Sequence, residues 1–282
     1  MTTVLVTGGM GQLGTDITRL LKGQGYDVYA CGRDTLDITN QGQVQEVMRQ
    51  VRPDVLIHTA AYTKVDQAEM DSDRAYLVNA LGTRNVAIEV ERYQARLIYI
   101  STDYVFDGAV DVPYSEFAPV NPVNVYGRSK WAGEEFIRQF CSRWFIVRTS
   151  WVYGKHGHNF VKTMLRLAET RSELRVVHDQ LGTPTYTVDL AMFLLQLLET
   201  EVYGTYHASN SGVCSWYEFA CAIFEEAGLA HIHVHPIPTV EYPLPALRPA
   251  YSVLDHMMIR LQGMDELRHW REALHSFMEE SG

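Results

Sequence analysis

Apolar residues recur along the first half of the chain in two alternating rhythms. Short runs rich in Val, Ile and Leu have the length and composition of strands: TVLVTG (3 to 8), YDVYACG (26 to 32), PDVLIHTAA (53 to 61), ARLIYIST (95 to 102) and WFIVRTS (144 to 150). Between them lie stretches of helical period. In GQLGTDITRLLKGQG (11 to 25), Leu13, Ile17, Leu20 and Leu21 fall on one face, and DRAYLVNALGTRNVAIEVERY (73 to 93) predicts one long helix. Strands this apolar predict a parallel sheet covered on both faces. The second half is less regular, with helices expected at about 159 to 170, 187 to 199 and 215 to 228, then a proline-rich stretch from 236 to 249. No repeat, low-complexity segment or flexible linker interrupts the chain. The pattern predicts an α/β protein, a doubly wound parallel sheet with a smaller C-terminal lobe over the carboxyl ends of its strands. The sheet domain is expected to take residues 1 to 150 and roughly 186 to 204, the lobe roughly 151 to 185 and 205 to 282.

Composition narrows this picture. The 282 residues are 46% hydrophobic and 21% charged, with 16 tyrosines and 5 tryptophans, which suits a globular protein with a large core. The formal net charge of -10 argues against nucleic acid and membrane surfaces as partners. Four scattered cysteines, Cys31, Cys141, Cys214 and Cys221, form no CxxC pair, and MTTVLVTGG is too short and too soon broken by glycine for a signal peptide or membrane span. A cytoplasmic protein with reduced thiols is expected.

The first chemistry lies between the first strand and the first helix. TGGMGQLG places Gly8, Gly11 and Gly14 at G-x-x-G-x-x-G spacing. In a Rossmann-type domain the first glycine permits the tight turn, the second lets a pyrophosphate approach the helix N-terminus, and the third lets helix and strand pack closely. A lone glycine pattern is weak, but this one has the strand, turn and helix context that the function requires. The second strand ends in CGRD, where Arg33 can pair with a 2′-phosphate. This favours NADP(H); the adjacent Asp34 keeps NAD(H) as the alternative. In LDIT, Asp37 and Ile38 stand where an adenine ring could rest, against the simpler reading of a plain loop.

The second chemistry lies at the end of the fourth strand. IYISTDYVFDG leaves Ser101, Thr102 and Asp103 at its carboxyl end, and NVYGRSKWAGEE follows with Tyr126 and Lys130 four residues apart on one helical face. Tyrosine near its ordinary pKa of about 10 is a poor proton donor at neutral pH, and a neighbouring ammonium is expected to lower it. Thr102 would then bond a substrate carbonyl. Y-x-x-x-K alone is a common spacing; after a glycine loop and an S-T-D strand end it reads as a reductase site. Gly127 is expected to let the helix start close to the cofactor.

With these motifs in place, the sequence resembles the extended short-chain dehydrogenase/reductases, and within them the dTDP-4-dehydrorhamnose reductases. The resemblance runs through VLVTGGMGQLG, HTAAYTKVDQAE (58 to 69), VNALGTRNVA (78 to 87), STDYVFDG (101 to 108), NVYGRSKWAGEE, RTSWVYG (148 to 154), NFV (159 to 161), DQLGTPTY (179 to 186) and RPAYSVLD (248 to 255). It implies reduction of the 4-keto group of dTDP-4-dehydro-6-deoxy-L-mannose to dTDP-L-rhamnose, with a dTDP-sugar as ligand and a homodimer as candidate assembly. Carried over by position, Tyr126 is the proton donor, Lys130 holds the nicotinamide ribose and lowers the tyrosine pKa, and Thr102 orients the keto sugar. Gly11, Gln12 and Leu13 face the pyrophosphate, and Ala61, Tyr62 and Thr63 line the cofactor. Asp103 and Trp151 contact the sugar nucleotide, and Arg248 partners its diphosphate. Two other readings stay open: a reductase of another 4-keto sugar nucleotide, and a non-catalytic NADP-binding regulatory subunit of the same fold.

The related dehydratases resemble a T-D-E pattern at the fourth strand, whereas this chain has T-D-Y with Tyr104, which fits net ketone reduction. Many relatives read RPxNS where this chain has RPAYS, so Tyr251 is expected to reshape the nucleotide end of the pocket. Glutamates bridge a metal between subunits in some members; the matching early position here is Asp16, and no metal is expected. His231, His233 and His235 in HIHVHP alternate along one strand, which favours a polar sheet face over a metal site.

Overall fold

The computed structural model describes residues 1 to 281. The first half runs β1 (Thr3–Thr7), α1 (Gln12–Gly23), β2 (Asp27–Cys31), α2 (Gln41–Val51), β3 (Val55–His58), α3 (Val65–Met70), α4 (Ser72–Tyr76), a π-helical turn (Leu77–Gly82), α5 (Thr83–Arg92), β4 (Arg96–Thr102), α6 (Val125–Phe140) and β5 (Trp144–Thr149). The second half runs β6 (Val152–Tyr153), α7 (Phe160–Ala168), β7 (Glu173–Val177), β8 (Leu181–Gly182), β9 (Thr185–Tyr186), α8 (Thr187–Leu198), β10 (Gly204–His207), β11 (Cys214–Ser215), α9 (Trp216–Glu226), β12 (His233–Ile237), α10 (Met257–Leu261) and α11 (Trp270–Ser281).

Six strands form one sheet in the order β10-β5-β4-β3-β1-β2, with every pairing parallel. Side chains alternate between its faces as the two-residue repeat requires. Val4, Val6, Val55, Ile57, Ile98, Phe145 and Val147 pack with Leu13 and Ile17 of α1 and Leu190 and Leu194 of α8. Leu5, Leu56, Leu97, Tyr99 and Ile146 pack on the other face with Met48 of α2, Val86 of α5 and Ile137 of α6. The order reverses between β1 and β3, so ligand chemistry is expected outside the carboxyl ends of these strands.

Three features depart from the sequence pattern. Helix α2 went unpredicted because it is mostly polar; Asn40 caps it by accepting from Gln43 N, and only Val44 and Met48 are buried. The helix expected over 73 to 93 is divided by the π-turn, which contains the buried Asn79. Finally, β10 pairs with β5 in the large sheet, and Ile259 and Leu267 join its core, so residues on both sides of the expected border near 204 build the large domain. A second core unites Tyr153 of β6 with Val161 of α7, Phe219 and Ile223 of α9, and Leu274 and Phe277 of α11.

His58, at the end of β3, is buried between the hydroxyls of Thr7 (2.7 Å from Nδ1) and Thr83 (3.1 Å from Nε2). Burial, with Lys130 nearby, lowers its pKa to about 3. An unfolded histidine titrates near 6.5. Below that pH the unfolded chain therefore takes up a proton that the fold refuses, and this residue's contribution to stability drains as pH falls from about 6.5 towards 3. Urea unfolding should show a steeper loss of stability below pH 6.5 in the parent than in His58→Gln; equal slopes would exclude His58 as a source of it.

Candidate active site

The glycine loop joins β1 to α1 as the cofactor reading requires. Gly8 has φ +66°, a left-handed conformation that favours glycine, and Gly11 N donates to Gly8 O. A Cβ on Gly14 would lie 2.1 Å from Gly8 O, so only glycine lets the first helical turn rest on the loop. Gly11 is the N-cap of α1 and supplies no side chain, and the first turn carries no acidic residue. The backbone N–H groups there, at the positive end of the helix dipole, fit a pyrophosphate. Gln12 faces out towards the second half of the chain, donating to Val152 O and accepting from Asn159 Nδ2. Leu13 is 7% exposed and points into the core, so only its backbone is available to a phosphate.

Around this loop, Ala61, Tyr62 and Thr63 follow β3. Tyr62 is fixed at both backbone groups by Asn79, whose Oδ1 accepts from Tyr62 N and whose Nδ2 donates to Tyr62 O and to Ser129 Oγ. The motif VNALGT gave no sign of this bracing role in sequence. All it offered was a polar residue inside an apolar helical run, and only the π-turn shows that Asn79 reaches both the loop and α6. Arg33 is exposed beside Asp37. Asp37 is occupied with Thr39, and Ile38 is buried in the core, so an adenine surface would have to use the backbone of this stretch.

Thr102, Asp103, Tyr126 and Lys130 come together where β4 ends and α6 begins. Asn124 caps α6 by accepting from Gly127 N at 2.8 Å, which sets Tyr126 in the first turn and Lys130 one turn later. Thr102 Oγ1 donates to Asp103 Oδ1 at 3.0 Å, accepts from Tyr104 N and lies beside the Tyr126 phenol. Asp103 is buried, and burial raises its pKa to about 6. Lys130 Nζ donates to Ile100 O at 2.7 Å and stands 4.0 Å over the Tyr99 ring.

One expectation changes here. Burial pushes the Tyr126 phenol above its ordinary pKa; the adjacent Thr102 hydroxyl opposes this, and Lys130 is not among the groups acting on it. The reason is that the ammonium is turned to Ile100 O and the Tyr99 ring, while its own pKa is lowered by burial to about 7. At Gly127 the packing supplies a reason for glycine that the sequence did not show: a Cβ there would lie 2.0 Å from Tyr104 O, so its absence lets α6 start against the strand-end turn.

On the opposite side, Trp151 adopts φ +46° and stacks on Trp216 with ring centroids 3.5 Å apart. Trp216 had no recognisable signal in sequence. Arg248 pairs with Asp66 of α3 through two nitrogens, at 3.0 and 2.8 Å, and also donates to Ala246 O, so this guanidinium is already largely engaged. Asp16 is buried and accepts from Thr187 Oγ1 at 2.5 Å. His233 and His235 are exposed on β12 while His231 precedes the strand, and among the described residues no three His, Cys, Asp or Glu side chains are grouped for a metal. A cavity of about 550 Å³ lined by residues such as Glu116, Trp131, Arg138 and Thr205 includes none of the glycine-loop or tyrosine-lysine residues.

A doubly wound sheet with a glycine loop after its first strand and a tyrosine-lysine pair packed at the end of its fourth defines an oxidoreductase of the extended short-chain dehydrogenase/reductase class. The family model described as the RmlD substrate binding domain matches residues 1–282, and the chain belongs to that family, which includes the dTDP-4-dehydrorhamnose reductases. It is similar to the dTDP-4-dehydrorhamnose reductase of Bacillus anthracis solved in complex with NADP, at 49% identity and a TM-score of 0.97, over 99% of this chain and 100% of that one. The spore coat polysaccharide biosynthesis protein SpsK of Bacillus subtilis is 49% identical over 99% of this chain and 98% of its own. The dTDP-4-dehydrorhamnose reductase of Aggregatibacter actinomycetemcomitans is 42% identical over 97% of each. No described helix is long and apolar enough to cross a membrane.

Proposed function

We infer that this chain is an NADPH-dependent dTDP-4-dehydrorhamnose reductase, which reduces the 4-keto group of dTDP-4-dehydro-6-deoxy-L-mannose to give dTDP-L-rhamnose. The observation that carries this reading is that Thr102 adjoins Tyr126 at the carboxyl end of β4, with Lys130 bound to Ile100 O of the same strand, in the parallel sheet whose first strand leads into the glycine loop, and in a chain that matches reductases over nearly its whole length. The bound nicotinamide supplies the hydride. Gly8, Gly11 and Gly14 with the α1 N-terminus would hold the pyrophosphate of the dinucleotide, and the loop of Ala61, Tyr62 and Thr63, braced by Asn79, would line it.

Tyr126 gives the proton. Burial keeps its phenol protonated at neutral pH, the form needed to neutralise an alkoxide developing at O4. Thr102 presents a hydroxyl to the same oxygen, and Lys130 is assigned to the nicotinamide ribose. Asp103 and Trp151 are assigned to the sugar, and Arg248, with Asp66, to the wall near the diphosphate. The four cysteines are free thiols, which supports a reducing compartment such as the cytoplasm.

Mixing the protein with NADPH and the keto sugar nucleotide should consume the cofactor absorbance, and NMR of the product should show the L-rhamno configuration. Turnover of a different 4-keto sugar nucleotide in place of this one would indicate a reductase of that sugar; no turnover, together with a stoichiometric enzyme partner in a pull-down, would indicate the regulatory subunit.

A further inference from the structure

Directly behind the catalytic helix lies a cluster of charge that the reaction as derived does not use. Glu134, one turn beyond Lys130 on α6, is 0% exposed. Its carboxylate accepts from Ser101 Oγ (2.6 Å), Arg148 Nε (3.0 Å), Arg148 NH2 (2.8 Å) and Arg138 NH2 (2.9 Å). Ser101, Arg148 and His207 are neighbours in register across β4, β5 and β10. His207 Nδ1 lies 3.0 Å from Tyr114 O and 3.1 Å from Asp255 O, carbonyls to which it can only donate; its Nε2 therefore accepts from Arg148 NH1 at 3.3 Å. One buried polar row thus runs from the 114 and 255 loops across three strands to α6 and the residue preceding Thr102.

We propose that Glu134 is a positioning residue for the reduction: anchored by Arg148, Arg138 and Ser101, it fixes the α6 turn that carries Lys130 against the strand end that carries Thr102, and supplies the negative charge facing the Lys130 ammonium. This rests on the reductase reading given above. A buried carboxylate between two arginines is costly to maintain, and hydrophobic residues of similar volume often serve stability equally well. Its location one helical turn from Lys130 gives the charge a use.

Lys130 shares α6 with Tyr126, Glu134 and Arg138; Tyr99 of β4 lies under its ammonium, with Asp103 just after that strand, His58 of β3 feels its charge and Arg148 of β5 holds Glu134. On the helices packed against α6, Arg84 of α5 lies over Phe136, α4 carries Asp73 and Arg74, and on α3 Glu69 is engaged with Val125 N and Asp66 with Arg248. His58 is neutral in the fold. Burial works against the lysine's charge and Glu134 works for it. Without the Glu134 charge, Lys130, Arg138 and Arg148 would be cations sharing one buried neighbourhood, and the lysine is the one able to lose its proton.

The test is the titration of Lys130, read directly from its ¹³Cε resonance in lysine-labelled protein and assigned with Lys130→Arg, beside the pH profile of kcat/KM. Glu134→Gln keeps the shape of the side chain and removes the charge: the lysine titration and the alkaline limb of the profile should both move to lower pH, by about one unit. Glu134→Asp should restore both. Arg148→Met should move the lysine titration upward, and Glu134→Gln with Arg148→Met should bring it back down. If Glu134→Gln alone does not fold, that last difference reads the same charge in a background without Arg148. A folded variant without the carboxylate in which Lys130 titrates at the parental pH overturns the proposal. Absence of keto-sugar turnover in the parent protein would instead overturn the reductase reading, since the resonance does not depend on turnover.

Discussion

Tyr126→Phe is expected to lower kcat by roughly 10²–10⁴-fold, the span that one positioned general acid contributes, while NADPH affinity stays at the parental value. The reasoning is local. Phenylalanine keeps the ring that packs against Ala68, Ala75 and Val125 and meets Tyr104 edge-on, with centroids 5.8 Å apart, so the first turn of α6 keeps its shape. Only the hydroxyl beside Thr102 is lost, and with it the proton for the alkoxide. Because burial raises the pKa of this phenol, the parent should not lose its acid as pH rises through the neutral range. An alkaline limb near neutrality would belong to Lys130, whose pKa is about 7. Stopped-flow turnover with fluorescence titration of NADPH separates the two quantities. Parental kcat in the Phe variant would remove Tyr126 from the mechanism.

Gly127→Val should be the most damaging single substitution in this turn, by a different route. A Cβ at this position would lie 2.0 Å from Tyr104 O and 2.9 Å from Tyr104 C, and backbone atoms cannot swing aside as a side-chain end can. The added branches aggravate the clash. Overpacking of this kind costs about 1–3 kcal/mol, which lowers Tm by about 2–12 °C in a domain of this size. Turnover should fall further than stability alone implies, because the displaced segments carry Thr102 and Asp103 on one side and Tyr126 on the other. Calorimetry and steady-state kinetics read these outcomes; a Val variant that melts with the parent would mean that the two segments part without strain. NADPH binding should suffer less than turnover, since the clash is with the strand end and not with the glycine loop.

The parts of the fold that were legible from sequence are those whose signal is local. β1, β3, β4 and β5 announced themselves as apolar runs because both of their faces are buried, and α1 and α8 by their periodic apolar faces. Helix α2 was not legible, since it buries only Val44 and Met48 and its first turn depends on the Asn40 cap. β10 was hidden for another reason: GTYH is four residues long and holds its place only by pairing with β5, where Tyr206 lies opposite Val147, 59 positions earlier, a separation no local pattern encodes.

The same division holds at the site. By itself the sequence determined the glycine loop, the S-T-D strand end and the tyrosine-lysine pair, because each is a short motif whose residue types are dictated by chemistry and whose spacing is local. Tertiary structure alone decided what those groups experience. It turned Lys130 to Ile100 O and the Tyr99 ring, engaged Arg248 with Asp66, laid Trp216 on Trp151, and brought Asn79 and Ser129 together from separate helices. It also buried Glu134 between two arginines from different elements. Burial and charge proximity set the strength of an acid or an ion pair, and both are sums over neighbours distant in sequence. That is why the motifs can be read along the chain, while only the folded packing fixes the protonation and the partners of the groups in them.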